Sequence, residues 1–295
     1  MTPSSLPQRL TINMADGCDI KVLQAGHGRD ALILLHGFGE NSYAWGEPPP
    51  ELTSAYTILA VDLRGHGDSS WDSSGNYHFD KFVADVAAVI DRLNIGHFAI
   101  AGHSLGAGIA LEIAVRRQRQ VTKLILVEFG LDAIDDDVMA FTLEQFNSQF
   151  RIYASVPEYT QFLETQRPLA DRSALLRYSS NSVRRASAGG YEMKCDPAVQ
   201  NLYRGTHAER FQRQRADITQ LSSPLLVVRG SGSAIVKPAA ARELGRLVPG
   251  AQMAVVPGAG HAVMMDRPKA FNETMFRYLL IPDARQVASA LAGRK

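Results

Sequence analysis

The chain has 295 residues, 45% apolar and 21% charged, and its 31 Lys and Arg nearly cancel its 30 Asp and Glu. That length fits one large domain or a core with one sizeable insertion, and a core of this size needs no disulfide or metal to hold it together. A net charge of +1 excludes a global field that would draw the chain to nucleic acid or to an anionic membrane.

In chain order, residues 1–7 carry no basic segment leading into an apolar stretch, so no signal peptide is expected. No later run reaches the length of a membrane span. Cys18 and Cys195 stand far apart, outside any metal-ligand spacing. The expectation is a soluble, reduced, cytoplasmic protein without cofactor or metal, a monomer or homodimer acting on a small molecule. Residues 10–14 and 19–25 read as a hairpin around Asp16-Gly17. Short apolar runs follow at 31–35, 57–61, 98–101, 124–127, 225–228 and 253–256, bounded by Gly, Asp or Pro. Such runs suit strands buried on both faces of a parallel sheet. Helical patterns lie between them at 79–93, 105–117, 238–247 and 268–280. Pro238 and Pro268 sit where a first helical turn has an N–H to spare. This alternation predicts an α/β fold: a mostly parallel sheet of about eight strands with helices on both faces.

Residues 131–216 break the rhythm. No strand-like run is visible there, the pattern is helical with loops, and the stretch holds ten of the 23 aromatic residues, from Phe141 to Phe211. The expected arrangement is a helical lid over the C-terminal edge of the sheet, where open α/β folds bind ligands. That leaves 1–130 and 217–295 as the core. The insertion also carries Arg151, Arg167, Arg172, Arg177, Arg184, Arg185 and Arg204, any of which is a candidate partner for a substrate carboxylate.

The strongest chemical signal is Gly102-His103-Ser104-Leu105-Gly106. Gly-x-Ser-x-Gly alone is weak, because glycine and serine are common. Here an apolar strand runs directly into it and a helical pattern runs directly out. A turn that sharp strains the serine and leaves no room for side chains two residues either side of it. It also lifts the hydroxyl clear of the sheet at a helix N-terminus.

Taken with Leu35-His36-Gly37-Phe38-Gly39, Asp62-Leu63-Arg64-Gly65-His66-Gly67-Asp68-Ser69 and Pro257-Gly258-Ala259-Gly260-His261, this segment resembles the α/β-hydrolase fold superfamily, from about residue 20 to 280. The resemblance implies Ser104 as nucleophile and His261 as general base. It implies an oxyanion hole from the backbone N–H groups of Phe38 and Leu105, with His36 bracing its loop. The family's acid normally follows the seventh strand, but Arg229-Gly230-Ser231-Gly232-Ser233-Ala234-Ile235-Val236 contains no carboxylate. Some relatives carry it after the sixth strand, which makes Glu128 the candidate here and Asp132 the reserve. Asp62, Arg64, His66 and Asp68 read as a structural turn beside the site.

A serine nucleophile attacks an acyl carbon and forms an acyl-enzyme that water releases. Ester hydrolysis is therefore the first expectation. Hydrolytic C–C cleavage of a diketone-like acid is the alternative, and a ligand receptor with slow or no turnover is the alternative outside enzymes.

Overall fold

The computed structural model describes residues 7–132, 135–203 and 208–280. Strands β1 (Gln8–Asn13) and β2 (Asp19–Ala25) form the hairpin and lead to β3 (Asp30–Leu35). A 3-10 turn over Ser42–Trp45 and the short α1 (Pro50–Ala55) precede β4 (Tyr56–Asp62). Then come α2 (Phe79–Arg92), β5 (Phe98–His103), α3 (Leu105–Arg116) and β6 (Val121–Val127). The insertion holds α4 (Asp136–Asn147), α5 (Val156–Gln166), α6 (Arg172–Ser182), β7 (Val183–Arg185) and β8 (Tyr191–Met193). After a 3-10 segment over Pro197–Tyr203, α7 (Ala208–Ile218) returns the chain to β9 (Leu225–Gly230). The chain ends on α8 (Pro238–Leu247), β10 (Gln252–Val256), α9 (Val263–Asp266) and α10 (Pro268–Leu280).

Eight strands make one sheet in the order β1-β2-β4-β3-β5-β6-β9-β10. β2 runs antiparallel to both β1 and β4, and every other pairing is parallel. The side-chain alternation of each strand divides the core. Ile33, Leu35, Ile100, Leu124 and Val227 pack with α2, α3 and α8, while Leu32, Leu34, Ala99, Ile125 and Val228 pack with α1, α9 and α10. Side chains two apart share a face, so six-residue apolar strands feed both layers at once.

One feature departs from the sequence expectation, and two short helices arise where the sequence carries no periodic signal. The insertion is not strand-free, because β7 and β8 pair antiparallel around Gly189-Gly190. Strands of three residues are too short to display a period. The proline run at 48–50 opens α1, with Pro50 in its first turn, where the missing N–H costs nothing. Helix α9 is a single turn and left no periodic trace. The insertion's buried aromatics join both core layers, Phe146 and Phe211 on one side and Tyr153, Tyr159 and Tyr178 on the other. Among the described residues, no helix is long and apolar enough to cross a membrane.

Candidate active site

Ser104 occupies the turn between β5 and α3 with φ 51° and ψ −111°. An L-residue pays for positive φ through Cβ crowding, so the conformation persists only because its surroundings dictate it. Gly102 and Gly106 explain how. A Cβ on Gly102 would lie 2.1 Å from the Gly106 carbonyl oxygen, and one on Gly106 would lie 2.2 Å from that of Leu35. Strand and helix therefore close to backbone contact, and the serine between them is forced outward.

His261 lies in the loop after β10. Its Nδ1 is 2.9 Å from Glu128 Oε2. Glu128 directly follows β6, is 2% exposed, and also takes a positive φ, 54°. Its Oε1 accepts from the Gly230 N–H at 2.7 Å, while Oε2 also accepts from the Ser233 hydroxyl. The β9–α8 loop thus brings no carboxylate of its own, but the last residue of β9 and Ser233 of the loop each donate to one that directly follows β6. Asp132 is turned elsewhere: its exposed carboxylate pairs with Arg215 at 2.8 Å. Burial lowers the pKa of His261, and the nearby His103 lowers it further, against the raising effect of the Glu128 hydrogen bond. The imidazole is thereby kept neutral and able to take a proton.

The loop after β3 is braced on all sides. His36 Nδ1 donates to the Gly37 carbonyl at 2.8 Å while its Nε2 accepts from the Leu63 N–H at 2.9 Å. His66 repeats the arrangement, Nδ1 to the Arg64 carbonyl at 2.8 Å and Nε2 accepting from the Gly39 N–H at 3.1 Å. Both rings must be neutral to do this, and burial pushes their pKa values down to about 4 for His36 and about 3 for His66. The Gly37 N–H goes to Glu40 Oε2 at 3.0 Å. With the flanking N–H groups of Gly37 and Gly39 taken, those of Phe38 and Leu105 engage no other group among the described residues. Asp62 and Arg64 are structural: Asp62 accepts from the Ser42 and Asp68 N–H groups. Arg64 gathers Asp16, Asp72 and Asp85. Asp16, Cys18 and Asp72 converge as metal ligands would, but the Arg64 guanidinium supplies the charge that group needs, within 3.1 Å of all three.

Sequence reasoning missed a second buried charge cluster. His103, inside the Gly-x-Ser-x-Gly segment, places Nδ1 2.9 Å from Glu40 Oε2 and Nε2 2.9 Å from the His261 carbonyl oxygen. Both neighbours are acceptors, so both ring nitrogens donate and the ring is an imidazolium. Burial opposes that charge, but Glu40 more than compensates and the pKa is raised. Arg167 of the insertion reaches the other Glu40 oxygen at 3.2 Å. Among the other insertion arginines, Arg151 stacks on Tyr153 and Phe162, Arg177 pairs with Glu47, and Arg184 pairs with Glu192. Arg172 is 3.9 Å from Glu164, Arg185 lies over Tyr191, and Arg204 falls outside the described residues.

Two cavities meet at Ser104. One of about 610 Å³ is lined by His103, His261, Phe38, Phe146 and Arg167. The other, about 310 Å³, lies on the α3–α7 side and is lined by Leu105, Glu128, Phe129 and Phe211. Such volumes suit a small molecule.

The family model for the α/β-hydrolase fold matches residues 30–268. A 2-(acetamidomethylene)succinate hydrolase of Mesorhizobium japonicum is 27% identical over 83% of this chain and 85% of its own length. An esterase of Mycobacterium tuberculosis is 29% identical over 86% of this chain and 84% of its own. The crystal structure of an E-2-(acetamidomethylene)succinate hydrolase superposes with a TM-score of 0.80 at 23% identity, covering 92% of this chain and 99% of that one, a likeness of fold.

Proposed function

Because the chain belongs to the α/β-hydrolase fold family, we propose that it is a serine hydrolase cleaving a carboxylic ester through an acyl-enzyme on Ser104. The observation that carries this reading is the placement of a strained, outward-pointing serine in one cavity with His261, whose far nitrogen is held by buried Glu128.

In this reading His261 Nε2 takes the Ser104 proton as the oxygen attacks the carbonyl carbon. Glu128 fixes the Nδ1–H tautomer and stabilises the imidazolium. The N–H groups of Phe38 and Leu105 receive the oxyanion, each donor contributing roughly 3 kcal/mol to the barrier reduction. His261 returns its proton to the leaving alcohol, and water repeats the sequence to release the acid. Residues 131–216 act as the lid that shapes the pocket. The esterase relative supports the choice of an ester. Arg167 does not strengthen the C–C alternative, because Glu40 already pairs with it.

The test is turnover of a p-nitrophenyl acyl ester series by the wild type and by folded Ser104→Ala. Expected is hydrolysis by the wild type and a loss of roughly five orders of magnitude in kcat for the variant. Ester turnover that survives the substitution overturns the reading.

A further inference from the structure

Two cations line the smaller cavity at Ser104, the exposed Lys237 at the start of α8 and the more buried Arg210. The Arg210 guanidinium lies 4.5 Å from the Phe79 ring centroid and 4.9 Å from that of Phe211. Among the described residues, no carboxylate lies within ion-pair distance of it. Burial pushes its pKa below the ordinary value, against the attraction of Tyr203 and, more weakly, of Glu112 and Asp80. Beside it Gln214, fully buried, gives Nε2 to the Gly108 carbonyl at 3.0 Å and leaves Oε1 unpaired. The acids on the cavity wall are committed elsewhere. Glu128 holds His261, Asp132 pairs with Arg215, and the Asp135 side chain caps α4.

A guanidinium lying over two aromatic rings, with no hydrogen bond or ion pair to the described residues, offers an N–H fork that matches a carboxylate. A part-buried cation without a counter-ion is costly, and an incoming anion removes that cost. Neutral acyl chains offer nothing to either Arg210 or Gln214.

We propose that this cavity is an anion subsite in which Arg210 receives a carboxylate at the far end of the substrate's acyl group. Gln214 Oε1 accepts from a hydroxyl or amide N–H on the same group. The substrate class is then an ester of a short dicarboxylic acid, with the scissile carbonyl at Ser104 and the free carboxylate beneath α7. This inference rests on the serine-hydrolase reading above.

The experiment compares p-nitrophenyl hydrogen adipate with p-nitrophenyl hexanoate, which share a chain length, on wild type, Arg210→Met and Arg210→Lys. Expected is a wild-type kcat/KM favouring the adipate. Arg210→Met should lower the adipate-to-hexanoate ratio roughly 10- to 100-fold, as loss of a charged hydrogen bond does, and Arg210→Lys should restore part of it. A wild type that prefers the hexanoate, or a ratio unchanged in Arg210→Met, overturns the subsite. If the wild type hydrolyses neither ester, the serine-hydrolase reading fails and calorimetry with adipate decides separately. Wild-type binding that Arg210→Met abolishes supports the anion subsite; absent or equal binding overturns it.

Discussion

At the scale of single residues, the site turns on how two carboxylates treat two histidines. Glu128 faces a neutral imidazole and Glu40 a charged one, and the rings of His261 and His103 lie 4.8 Å apart, centroid to centroid. Replacing Glu128 by Gln removes the acceptor that fixes the His261 tautomer. The expected result is a fall in kcat of roughly 10³- to 10⁴-fold on an ester the wild type cleaves, in a protein whose circular dichroism is unchanged. A loss below tenfold would exclude Glu128 as the acid. The lowered pKa of His261 has its own signature. As the proposed base, His261 is competent only when neutral, so the acid limb of the kcat/KM profile should fall with its midpoint below the ordinary histidine value of 6.5. A midpoint at or above 6.5 contradicts a base depressed by burial.

At the scale of elements, what the sequence disclosed depended on how local the information was. The turn at Ser104 was legible because strand, glycines and helix are contiguous. Glu128 was legible from its place at a strand end, once the β9–α8 loop was seen to lack a carboxylate. Glu40 and His103 were not, since the pair spans 63 residues and neither side chain sits in a pattern that points to the other. Arg210 lies on a helix among several arginines, and only the tertiary structure, its cavity and its two aromatic neighbours, distinguishes it from Arg213 or Arg215. Glu40 is also where three elements join: it binds the Gly37 N–H, the ring at the end of β5 and Arg167 of the insertion. Removing one member of a buried ion pair leaves the other charge uncompensated, so Glu40→Gln should cost about 3 kcal/mol in urea unfolding. The same change loosens the loop of His261, whose carbonyl His103 holds. A stability change under about 0.5 kcal/mol would show that the cluster is solvated rather than structural.

At the scale of the whole molecule, the braces around the site set how stability varies with pH. His36 and His66 are held neutral with pKa values near 4 and 3, whereas the unfolded chain titrates near 6.5. Between those values the unfolded state binds more protons than the folded one, so stability falls as pH falls. The loss begins near pH 6.5 and reaches roughly 3 kcal/mol from His36 alone once pH 4 is passed. His103 works in the other sense. Its pKa is raised, so its contribution is complete below the unfolded value and is lost as pH rises through the folded one. Thermal melting from pH 7 to pH 4 should therefore show a declining Tm, and His36→Asn, which removes the titrating ring, should flatten that decline. A Tm that holds steady down to pH 4 would contradict the neutral-ring arrangement.

The position of Glu128 just after β6 bears on how this protein can change over time. The end of β9 and the loop after it contribute only a backbone N–H and a serine hydroxyl to that carboxylate, while Ala234 and Ile235 of the loop line both cavities at Ser104. With the proposed acid anchored one strand away, mutation at Ala234 and Ile235 reshapes the pocket without discarding a catalytic group. That makes the loop a place where substrate preference can drift under selection, and the natural first target for directed evolution of this enzyme.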